Sequence, residues 1–178
     1  MGASPQTLDA LRWVRDDFCA IASSAGGAEL DAPSRGTRWT NRQLLFHMWF
    51  GQRIARAFIP VFGILGRLPR PVAVGYARLL SALTGPYNWI NYIAPVGGAE
   101  LVGAERVMRW MRADTERLVR WATSATNQQL RLTAPVPADW DPYFQPEMTR
   151  LDILDWAPKH YRHHRTQLSL TALPEPPH

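Results

Sequence analysis

The sequence predicts an all-α protein: a four-helix bundle with an irregular, partly helical insertion between its second and third helices. Three observations carry this. Apolar residues recur at steps of three and four over four long segments of the 178-residue chain. Helix-starting and helix-ending residues stand at the edges of those segments. No stretch alternates apolar and polar residues long enough to make a useful strand.

The first helix is predicted over about residues 6–24, where Leu8, Leu11, Val14, Phe18 and Ile21 share a face. Ala25-Gly26-Gly27 ends it, and residues 30–38, with Pro33 and Gly36, read as a loop. Thr40 opens the second helix as an N-cap, and Gln43 three residues later completes a capping box. Leu44, Leu45, Met48, Ile54 and Phe58 follow at helical spacing, up to an end or kink at Pro60. Residues 60–98 are broken repeatedly by Gly and Pro, with a short helix predicted over 72–83. They read as an insertion or lid packed on the bundle. The third helix is predicted over 99–129, its apolar side carried by Leu101, Val107, Met108, Met111, Leu118 and Val119. A Pro-rich loop follows. The fourth helix opens at a Thr149–Asp152 cap and runs to about Leu170, kinked at Pro158. Residues 1–172 are expected to form one domain and 173–178 a disordered tail.

Composition narrows the function classes. Apolar residues make up 46% of the chain, enough for a core without disulfides. The basic residues number 20 against 15 acidic ones, and all but Lys159 are Arg. Arg suits bidentate anions, so acidic small molecules or anionic surfaces fit; most of these side chains read as solvated helix faces. No basic block and no nucleic-acid motif occurs, which argues against a nucleic-acid partner. The single cysteine, Cys19, excludes an internal disulfide and any two-cysteine metal or redox motif. It is expected to be a buried core thiol in a reduced, cytoplasmic protein. The N-terminus has no secretory pattern and no myristoylation site. The longest nearly apolar run, Ala57–Gly66, is far short of the ~20 residues that span a bilayer.

The histidines carry the chemistry. His160 and His164 are four residues apart, one helical turn, so both rings project from one face. His47 stands in the second helix among Leu44, Leu45, Met48 and Phe50. Alone it reads as a satisfied core residue. Three histidines on two core-facing helices make a three-imidazole site for a divalent metal, with a position left open for water or substrate. His163 and Gln167 are expected behind the ligands, orienting them or facing solvent. Trp49, Trp156 and Tyr161 are candidates for the pocket wall, within an aromatic group that also includes Tyr87, Trp89, Tyr92, Trp140 and Tyr143. No catalytic residue is assigned. Asp152, Asp155 and Glu105 are candidates for a general base, and Arg42 and Arg162 for gripping an anionic substrate.

Two segments resemble the DinB/YfiT-like family of metal-binding four-helix bundles. Trp39-Thr40-Asn41-Arg42-Gln43-Leu44-Leu45-Phe46-His47-Met48 is similar to the opening of that family's second helix. His160-Tyr161-Arg162-His163-His164-Arg165-Thr166-Gln167-Leu168 is similar to its closing helix. The resemblance covers most of residues 5–172. It implies that His47, His160 and His164 bind a divalent ion such as Zn, Ni or Fe, in a bundle pocket, often in a homodimer. Some relatives are S-transferases or isomerases that use a low-molecular-weight thiol of the bacillithiol or mycothiol type. Residues 60–98 are longer and more apolar than the family's usual connection, and Pro158 lies two residues before His160.

Three functions follow. The first is a metal-dependent enzyme, a thiol S-transferase or small-molecule hydrolase. The second is a non-catalytic module that binds a metal or small ligand. The third is a peripheral membrane protein that uses the apolar 57–96 region, whose Ala57–Gly66 run is flanked by Arg53, Arg56, Arg67 and Arg70.

Overall fold

The computed structural model describes residues 2–171 and 173. Four helices form the bundle: α1 (Pro5–Ser24), α3 (Asn41–Leu65), α6 (Ala104–Ser124) and α8 (Arg150–Arg165). They close a ring in which α1 and α3 each pack on both α6 and α8. Two short helices, α2 (Gly27–Asp31) and α7 (Asn127–Leu130), sit in the connections. Two further helices, α4 (Arg70–Ala82) and α5 (Thr84–Val102), join α3 to α6. A three-residue antiparallel pair, β1 (Thr133–Pro135) with β2 (Glu147–Thr149), closes the loop before α8.

Local chemistry starts the helices that matter. The Thr40 hydroxyl accepts the Gln43 N–H at 3.3 Å, and Gln43 Oε1 accepts the Thr40 N–H at 3.2 Å. The same reciprocal box opens α8 between Thr149 and Asp152. Each box satisfies two of the N–H groups that a helix leaves unpaired at its start. Between the helices the core holds Leu11, Phe18, Leu44, Met48, Phe62, Met111, Leu118, Ile153 and Leu154. Cys19 is a buried free thiol, as expected.

Several boundaries differ from those read in the sequence. The predicted loop at 30–38 is preceded by α2, whose last residues are Leu30 and Asp31. Pro60 does not end α3, which continues to Leu65; Arg150 donates Nε to the Ile59 carbonyl at 2.8 Å beside the proline. The segment expected to be irregular is mostly helical. Pro71 and Pro86 fall in first turns, where a missing N–H costs nothing, so they start helices instead of breaking them. The long third helix divides at Gly103, whose φ of 74° lies in the left-handed region that favours glycine. It divides again after Ser124, where Thr126 and Gln129 make a new capping box for α7. The last helix ends at Arg165, and Leu168 and Leu170 are buried beyond it. Pro158 is inside α8. Apart from Leu173, the tail expected at 173–178 lies outside the described residues.

Candidate metal centre

His47 lies seven residues past the Thr40 cap, on the face of α3 that meets α8. It is 4% exposed, and the Trp39 ring stacks on it at a centroid distance of 4.6 Å. On α8, His160 is 8% exposed and His164 lies one turn further on. Candidate ligand atoms of the three side chains all lie within 4.8 Å of one another. His47 Nε2 and His164 Nε2 are 3.1 Å apart.

The tautomers point the same way. His160 Nδ1 donates to Asp141 Oδ2 at 2.9 Å, and His164 Nδ1 donates to Gln167 Oε1 at 2.7 Å. A ring whose Nδ1 carries the proton offers the Nε2 lone pair. His160 Nε2 is buried with no hydrogen-bond partner. Converging lone pairs repel one another unless a cation stands between them. Two nitrogens each about 2.0–2.1 Å from one ion lie about 2.9–3.4 Å apart at the angles common in such sites. The His47–His164 pair has this spacing, and with His160 beside it the all-imidazole donor set could hold a divalent metal.

Electrostatics agree. Burial, and then the other two rings, hold His47 well below its ordinary pKa. Burial and the neighbouring His160 push His164 down to about 3. Both rings are thus neutral near pH 7, as a ligand must be. Burial raises the Asp141 carboxyl, but hydrogen bonds from His160 and the Tyr143 N–H outweigh it and leave the group below its usual range.

A cavity of about 190 Å³ opens beside the histidines, walled by Trp39, Tyr87, Trp140, Tyr143 and Trp156, with Asn91. Tyr87 and Trp140 stack at 3.9 Å, almost parallel. Burial raises the Tyr87 phenol to about 12, so it stays protonated. Tyr143 Oη meets His163 Nδ1 at 3.3 Å on the cavity rim.

The chain matches the family model of the DinB superfamily over residues 10–168. The chain belongs to the DinB superfamily. No curated protein and no solved structure matches it. In this DinB protein the three-histidine cluster could hold a metal ion.

Of the residues singled out in the sequence, the structure brings together His47, His160 and His164, with Gln167 behind His164 and His163 at the rim. Trp156 lines the cavity, but Trp49 and Tyr161 do not. Trp49 packs on Phe46 and Trp110 and donates to Asp114; Tyr161 is buried on the α1 side and donates to Asp17 at 2.7 Å. The three candidate bases are elsewhere. Asp152 completes the α8 cap, Asp155 accepts from Thr7 Oγ1, and Glu105 is exposed in the first turn of α6. Arg42 pairs with Asp31, and Arg162 covers the Trp13 ring.

Sequence reasoning missed Asp141 and Gly51. Asp141 reaches His160 across a loop, and no spacing rule links the two. Gly51 carries a readable signal. It sits one turn past His47, inside a helix, where glycine costs about 1 kcal/mol. A Cβ there would lie 2.6 Å from His160 Cδ2, so the glycine makes room for the ring.

Proposed function

We propose that this DinB protein is a divalent-metal-dependent enzyme acting on a small, flat, uncharged molecule, as a hydrolase or a thiol S-transferase. The observation that carries the reading is the convergence of three buried, neutral imidazoles beside an aromatic cavity. His47, His160 and His164 would hold the ion. Three neutral ligands leave its full charge, and when bound it supplies Lewis acidity that makes water or a low-molecular-weight thiol a nucleophile near pH 7.

The protein's own residues do the rest. Asp141 and Gln167 fix the rings of His160 and His164, which keeps the donor set in place without reorganisation. Trp39, Tyr87, Trp140 and Trp156 exclude water and give a planar substrate faces to stack on. The Tyr143–His163 pair stands at the rim, where a proton can pass to solvent. No Lys or Arg occurs among the described residues that line the cavity, which favours a neutral substrate over an anionic one. The buried Cys19 thiol suits a reducing, cytoplasmic setting.

The first test is metal analysis of tag-free protein beside His164→Ala. About one ion per chain is expected in wild type and almost none in the variant. Equal, negligible content in both would end the reading. The second test is turnover of neutral aromatic esters, amides and electrophiles, with and without thiols. A loaded protein that turns over none of them is a binding module, the alternative that the small cavity favours.

A further inference from the structure

The α4–α5 segment is built inside out. On α4 and its C-cap, Val72, Tyr76, Leu79 and Leu83 step by four, three and four, and all are exposed; the buried residues are Ala73 and Ala77. On α5 the buried residues are Pro95 and Ala99, while Trp89 (64%), Ile90 and Ile93 face out. A helix that only packs on a bundle turns its large apolar residues inward. Among the described residues, every large exposed apolar side chain except Tyr143 falls between positions 64 and 101.

Charge leans the same way. Between positions 64 and 101 the chain has three Arg, one acid (the exposed Glu100 near the end of α5) and no Lys. Arg67, Arg70 and Arg78 are exposed on this segment. The neighbouring turn at Ala138–Trp140, which packs on both helices, adds one exposed acid, Asp139. No helix among the described residues is long and apolar enough to cross a membrane.

We propose that the outer face of α4 and α5 is a docking surface for an anionic lipid bilayer, lying in the interface and not through it. Aliphatic side chains mixed with Trp and Tyr and edged by more Arg than acid match the headgroup boundary, where the apolar groups enter and the guanidinium groups meet phosphate. A second copy of the chain fits the face less well. A two-fold interface sets the same patch against itself, so three arginines would meet their own copies with only Glu100 and Asp139 to receive them. The proposal does not depend on the metal centre. Still, α5 serves both, since Tyr87 and Asn91 face the cavity while Trp89, Ile90 and Ile93 face out.

The test is flotation of the full chain with vesicles of phosphatidylcholine alone and of phosphatidylcholine with about one-third phosphatidylglycerol. Binding is expected to the anionic vesicles only, weakening with salt. Each Arg near such a leaflet is worth about fivefold in partitioning, so Arg70→Glu with Arg78→Glu should lower binding by about 25-fold or more. Leu79→Glu with Trp89→Glu should abolish it. These side chains are exposed, so both variants should keep the wild-type thermal melt, which circular dichroism checks. Wild-type protein that does not float with anionic vesicles overturns the proposal, and so does binding that both variants retain. Self-association that both variants abolish, without vesicle binding, would give the face to a second copy and overturn it as well.

Discussion

The helices α3 and α4 follow each other in the chain, and they treat apolar side chains in opposite ways. The first buries Leu44, Met48, Ile59 and Phe62 in the bundle and exposes few large groups. The second buries two alanines and turns its large residues out. Both are apolar helices by composition. The difference teaches that apolar content marks a helix as amphipathic without saying which medium its apolar face meets. Substitutions separate the two cases. Phe62 is 1% exposed, so Phe62→Ala should remove about 3–5 kcal/mol of unfolding free energy in urea titration. A loss below about 1 kcal/mol would mean that the bundle core is not as closed as this contrast requires.

The three-histidine cluster belongs to the closed side, and its supports can be probed without touching the histidines. Asp141→Asn keeps the shape of the side chain but weakens the bond that fixes His160. Metal affinity should fall about 10–100-fold by competition with a chelator. An unchanged affinity would remove Asp141 from the site. Gly51→Ala adds a methyl group 2.6 Å from the His160 ring, and one of them must move. Overpacking of this kind costs about 1–3 kcal/mol, and a displaced His160 should also lower metal content. If metal content and stability both survive, the ring has slack that its burial does not suggest.

Much of this arrangement was legible in the sequence because it is local. The Thr40–Gln43 and Thr149–Asp152 boxes, and the one-turn spacing of His160 and His164, each span four or five residues. Thr126–Gln129 is the same kind of signal, and apolar spacing alone runs the third helix straight through it. The hairpin of β1 and β2 has three residues a side, too few for alternation to register. The helices between 70 and 102 hide behind their prolines. A count of Pro and Gly suggests breakage, while Pro71 and Pro86 fall in first turns and α5 runs on through Pro95. Asp141 was out of reach because its partner is 19 residues away across an irregular loop. Which face of α4 points outward depends on tertiary packing that no local window contains.

Acid should separate the two regions further. His47 and His164 titrate well below 6.5 in the folded chain, His164 at about 3, and near 6.5 when unfolded. Between those values the unfolded chain binds more protons, so stability present above pH 6.5 is lost as pH falls toward 3. Chelator-treated protein should therefore show urea midpoints that decline through this window. His164→Leu, which cannot gain the proton, should decline less. Equal slopes in the two proteins would mean that the buried rings are not what acid attacks.

The smallest expected effect is also the most pointed. Leu79 is 59% exposed on the outer stripe of α4, so Leu79→Ser gives up little buried area. Surface changes of this kind stay within about 0.5 kcal/mol of wild type, against the several kcal/mol expected at Phe62. Leucine is also the better helix former, by roughly 0.5 kcal/mol, so any loss should be of that order and helical in origin. Urea unfolding of the two variants side by side reads the contrast directly. A loss above about 2 kcal/mol at Leu79 would show that the stripe is buried in solution, against the bundle or a second copy. The outward face would then be a packing surface, and the difference between α3 and α4 would disappear.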